Sequence, residues 1–144
     1  MKPVCTLVLI ANEHEARLLS NDGPGRGLAS VVHFDKMGQV RYADVPGRSQ
    51  SGPGGARHGF DRATTERAQN RDGFAGDVLQ ATAREWAEGG YDRLVISAPP
   101  AMLGALRAQL DADLAAALSA DLNKDLLGVA VADLPRHFED VIVF

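Results

Sequence analysis

The sequence predicts an α/β fold: one three-layer-like domain over residues 1–144, with a mixed central sheet flanked by helices. Three observations predict it. Residues 4–11 and 91–98 are short, apolar runs rich in β-branched side chains, the pattern of strands buried on both faces. Between them Ala68, Ala75, Val78, Leu79, Thr82 and Trp86 recur at the spacing of an amphipathic helix. The chain has 144 residues, 45% of them hydrophobic, which suits one domain burying roughly two-thirds of its unfolded surface.

The elements follow in order. Residues 4–11 are read as a central buried strand, and Cys5 within that run as a buried structural thiol. Residues 16–20 suit a short second strand, closed by the turn signal at Asn21-Asp22-Gly23-Pro24-Gly25. Residues 28–34 and 40–43 flank Lys36-Met37-Gly38 and read as a hairpin or an irregular edge. The helical stripe comes next. Gly73 and Gly76 each cost a helix about 1 kcal/mol relative to alanine, which leaves room for a kink or a start near Asp72. Gly89-Gly90 ends it. Residues 91–98 form another buried strand, and Pro99-Pro100 suits the first turn of a helix lined by Met102, Leu103, Leu106 and Leu110. Asp111 and Asp113 favour a further helix start, residues 118–122 a last core strand, and residues 132–138 a short terminal helix. The apolar tail 141–144 is expected to pair with a sheet edge or pack on the surface, where it could seal a homo-oligomer.

One segment fits none of these elements. Residues 45–60 carry glycines 47, 52, 54, 55 and 59 and prolines 46 and 53, a composition that excludes regular strand or helix. It reads as an exposed or partner-ordered loop. Arginines 41, 48, 57, 62, 67 and 71, with His58, face only Asp44, Asp61 and Glu66 between residues 41 and 71. The region is a cationic island on a protein of formal net charge −4. That overall charge argues against non-specific coating of nucleic acid, whereas the island could contact phosphate locally.

Reactive motifs are scarce. The single cysteine excludes an internal disulfide and a cysteine-based zinc cluster. His14, His33, His58 and His137 lack ligand spacing, so no metal site and no cofactor are expected. Gly23-Pro24-Gly25-Arg26-Gly27 lacks the strand-to-helix setting of a dinucleotide-binding turn. Gly52–Gly55 lacks the lysine and hydroxyl of a phosphate loop. Asn123-Lys124-Asp125 is one residue short of a guanine-specificity motif. Ser97 ends a strand without a glycine-flanked elbow, so it reads as structural. The first strand has no acid before Glu13 and residues 93–98 hold none, so no carboxylates are in place there to hold a pair of divalent ions. The apolar start is about as long as the shortest signal cores but has no small-residue cleavage site, and no segment approaches the ~20 apolar residues of a membrane span. The expected address is the cytoplasm.

Four motifs in order carry a resemblance. Leu9-Ile10-Ala11-Asn12 with Ala16-Arg17-Leu18-Leu19 is the first, and Pro46-Gly47-Arg48-Ser49 with Gly54-Gly55-Ala56-Arg57-His58 the second. The run 91–100 followed by Met102-Leu103-Gly104 is the third, and Asn123-Lys124-Asp125-Leu126 the fourth. Together they resemble the bacterial host-attachment protein family over about residues 4–138. That family is similar in turn to the central domain of archaeal and eukaryotic class I peptide release factors, a ribonuclease-H-like fold. In those factors a loop before a long helix presents Gly-Gly-Gln to peptidyl-tRNA. Here Gly54-Gly55 is followed by Ala56, which lacks the amide that positions the attacking water. The resemblance implies loop contacts through Arg48, Gly54, Gly55, Arg57 and His58, with Asn12, Arg17, Pro99, Pro100, Lys124 and Asp125 as further family-motif positions.

Two functional readings lead. The first is a non-enzymatic protein needed, directly or indirectly, for attachment to host cells and acting through an unknown protein partner. The alternative is a ribosome- or RNA-associated release-factor-like protein without the catalytic glutamine. A small-molecule hydrolase with an unrecognised site ranks third.

Overall fold

The sheet is built outward from its most apolar strand. Thr6–Ala11 (β1) is buried at every position, as its unbroken apolar run requires. The structure is a computed structural model, and it describes residues 4–36, 40–42, 60–142 and 144. Glu15–Asn21 (β2) returns antiparallel to β1, Ala29–Asp35 (β3) pairs antiparallel with β2, and Val40–Tyr42 (β4) with β3. A single long helix, Phe60–Gly89 (α1), then leads to Arg93–Ser97 (β5), which lies parallel to β1. Pro100–Gln109 (α2) and Ala112–Ala117 (α3) precede Leu118–Leu122 (β6), parallel to β5. A 3-10 turn at Val131–Asp133 and a short helix Leu134–His137 (α4) close the chain. The strand order β4-β3-β2-β1-β5-β6 is the mixed sheet that the sequence predicts.

Two cores cover the two faces. On one, Leu7, Leu9, Leu18, Leu94 and Ile96 meet Phe74, Val78, Met102, Leu106 and Leu114 from α1, α2 and α3. On the other, Val8, Ile10, Leu19 and Val95 meet Leu126, Leu134, Phe138, Ile142 and Phe144. The alternation along β1 follows from the period of two in a strand.

Several expectations change. α1 starts at Phe60, twelve residues before Asp72, and runs through Gly73 and Gly76. The burial of Phe74, Ala75, Val78 and Leu79 against the sheet outweighs the glycine penalty. Gly76 has a packing reason as well: a Cβ there would stand 3.1 Å from Gln109 Oε1 of α2. Of the described tail residues, none pairs as an edge strand, and Val141 is 46% exposed. Ile142 and Phe144 are buried in the second core, Phe144 packs edge-on against Phe138, and its carbonyl accepts from Gly25 N at 3.0 Å. Cys5 is half-buried, because it precedes β1 and sits at the sheet margin beside Asp92. The glycine turn after β2 is held by buried Asn21, whose amide donates to the Gly23 and Gly27 carbonyls. The expected terminal helix is split into the 3-10 turn and α4, with Pro135 at the start of α4.

Candidate functional site

Strands β1, β5 and β6 run parallel and finish at one end of the sheet, where Ser97 is level with Ile10 and Leu122. The strand order falls to β1 and rises from β5, so it reverses between these two strands. In open α/β sheets, ligands gather outside the carboxyl ends of the strands at such a switch point. Most family-motif positions on the described residues lie here.

Asn12 makes the turn out of β1. Its Oδ1 accepts from the backbone N–H groups of His14 and Glu15 at 2.8 and 2.9 Å, and its Nδ2 donates to Asp125 Oδ2 at 3.2 Å. Short polar side chains bond their own backbone in this way at turns. Asp125 uses its other oxygen to accept from Leu127 N at 3.1 Å. Arg17 reaches from β2 to the same segment, where Nη1 donates to the carbonyls of Val129 at 2.9 Å and Leu127 at 3.4 Å. Burial pushes the Arg17 pKa down from its usual value, with the neighbouring Glu15 opposing the shift. The guanidinium stays charged in a protein all the same. Ser97 is fully buried and donates Oγ–H to the Lys124 carbonyl at 2.8 Å, which is the structural role its sequence context indicates. Pro99 is the N-cap of α2 and its carbonyl accepts from Leu103 N at 2.8 Å, with Pro100 in the first turn.

The result is a rigid platform. Three side chains, Asn12 after β1, Arg17 in β2 and Ser97 in β5, fasten residues 124–129 across the strand ends, and each is committed to a partner. The network holds no paired nucleophile and base. Among the described residues, no three His, Cys, Asp or Glu side chains converge as metal ligands would.

Beside this platform, the turn after β1 meets α1. Glu13 accepts two hydrogen bonds from Arg67, from Nε to Oε1 and from Nη2 to Oε2, each 3.1 Å. The bidentate fork is the strongest arrangement available to this pair of groups. Those bonds hold the Glu13 carboxyl below the usual carboxylate range; burial opposes the shift, and the charges of Arg67 and Arg71 support it. A cleft of about 290 Å³ opens between this turn, the end of β3 and α1. A second cleft of about 370 Å³ lies along β3 and α1, floored by Val31, Phe34 and Phe74 and rimmed by Asp77, Glu85 and Glu88.

The loop positions Arg48, Gly54, Gly55, Arg57 and His58 lie outside the described residues. The helix that follows them begins at Phe60, seven residues before Arg67, or about 10 Å along its axis. Sequence reasoning missed the Glu13–Arg67 fork. Glu13 and Arg67 are 54 residues apart, and neither the run Asn12-Glu13-His14-Glu15 nor the arginine-rich region around Arg67 signals the other.

Comparison with known proteins adds a family. Residues 5–138 match the family model described as bacterial archaeo-eukaryotic release factor family 12. Among curated proteins, none matches the chain. No helix among the described residues is long and apolar enough to cross a membrane.

Proposed function

The chain belongs to bacterial archaeo-eukaryotic release factor family 12, and on that premise we propose that it is a ribosome- or RNA-associated domain without glutamine-dependent hydrolysis. The family match over residues 5–138 carries this reading, because it spans both the sheet and the glycine-rich segment. The segment brings Arg48, Arg57 and His58, groups that suit phosphate oxygens. Ala56 follows Gly54-Gly55, and a methyl group cannot orient a water for attack on an ester. The domain therefore docks rather than cleaves. Asn12, Arg17 and Asp125 serve it as scaffolding: they fix the strand-end platform beside the turn that Arg67 of α1 grips.

The attachment label that the motifs resemble describes a phenotype. A domain acting on translation in the cytoplasm would influence attachment to host cells indirectly. Co-sedimentation with ribosomes tests the proposal. Salt-sensitive association that Arg48→Ala/Arg57→Ala abolishes is the expected result, and no association at low salt would contradict it.

A further inference from the structure

We infer that the cleft between α1, the β1–β2 turn and the end of β3 holds one phosphate group of an RNA strand. This rests on the RNA-docking reading above and deepens it by adding a contact outside the glycine-rich segment. Three cations from two elements line the cleft, Lys36 from the end of β3 and Arg67 and Arg71 from α1, against Glu13 and Glu66. Four residues apart on a helix, Arg67 and Arg71 present side chains to the same face. The Glu13 charge is already engaged by Arg67 through the bidentate fork.

Arg71 has the properties of the main ligand. Its side chain is 25% exposed, so its charge is less screened than that of a fully solvated arginine. Its ion pair among the described residues, to the adjacent Asp72, is long at 3.4 Å, and the Asp72 side chain is 55% exposed. Such a contact stabilises little and is readily exchanged for a phosphate. Lys36 is exposed across the cleft, and Asn70 adds a neutral amide donor. The cleft lies about 10 Å along α1 from the helix start, so a strand held by the preceding segment can reach it.

The test measures binding of a short single-stranded RNA oligonucleotide across a salt series, with ribosome co-sedimentation run in parallel. Arg71→Gln and Lys36→Gln are each expected to weaken binding several-fold and to reduce the salt slope by about 0.7, the value for one lost phosphate contact on a single strand. Arg71→Lys should recover part of the loss. Arg136→Gln, the same charge change on α4, should bind as wild type. Because Arg71 and Lys36 sit on different elements, each variant stands in for the other if one fails to fold by circular dichroism. If both cleft variants match Arg136→Gln while Arg48→Ala/Arg57→Ala loses binding, the cleft site is overturned and the docking reading stands. If wild type binds neither the oligonucleotide nor ribosomes, both are overturned.

Discussion

Glu13 and Arg67 grip each other through two hydrogen bonds of 3.1 Å, tying the turn after β1 to the helix that follows the glycine-rich segment. The Arg67 side chain is 74% exposed and that of Glu13 19% exposed, so the carboxylate is the fixed half of the pair. The fork therefore adds a polar tie between this turn and α1, which Phe74, Ala75, Val78 and Leu79 hold against the sheet. Its charge dependence gives a direct check.

Glu13 titrates below its unfolded value because Arg67 stabilises the carboxylate. A depressed folded pKa means stability present above the unfolded carboxylate pKa of about 4.3 and lost as pH falls through the lower folded value. Melting temperatures of wild type and Glu13→Gln should differ at pH 7, with wild type higher. The gap should close as pH falls below about 4. A gap that is constant with pH would show that the ion pair does not supply it.

Asn12 and Asp125 lie 113 residues apart in sequence and meet at 3.2 Å. A double-mutant cycle with Asn12→Ala and Asp125→Ala should give a coupling energy of about 0.5–1.5 kcal/mol in urea unfolding. Asn12→Ala should be the more damaging single change, since Asn12 also accepts from His14 and Glu15. Additive effects would mean that the two side chains do not act as one clasp.

Gly89 closes α1 against a tightly held ring. A Cβ at this position would overlap Tyr91, whose hydroxyl donates to Glu85 at 2.7 Å and whose ring stacks on Trp86. The ring cannot move without breaking one of those contacts. Gly89→Ala should cost about 1–3 kcal/mol by the overpacking mechanism, against a helix-propensity gain of up to ~1 kcal/mol. Gly73→Ala meets nothing within 4 Å and should be neutral or stabilising, which makes it the matched control.

The legible parts of the fold were those encoded locally. β1 and β5 are apolar at consecutive positions because both faces of the sheet are covered, and such runs stand out in any reading. Asp111 announces its helix and caps it by accepting from Leu114 N at 2.8 Å. The start of α1 was not legible, because Gly73 and Gly76 weaken the local signal while Phe74 and Val78 are stabilised only by contact with the sheet. The burial of Ile142 and Phe144 was not legible for the same reason: a short apolar run has no period, and only the second core gives these two residues a place. In the candidate site, Asn12, Arg17 and Asp125 were visible as motif positions, yet the bonds joining them span 110 residues or more. The Glu13–Arg67 fork bridges 54 residues and leaves no trace in either local sequence.

Ribosome co-sedimentation at low and moderate salt, comparing wild type with Arg48→Ala/Arg57→Ala, tests the central claim most directly. A docking domain predicts wild-type co-migration that falls as salt rises and is lost in the double variant. Wild-type protein that stays in the supernatant at both salt concentrations would contradict it.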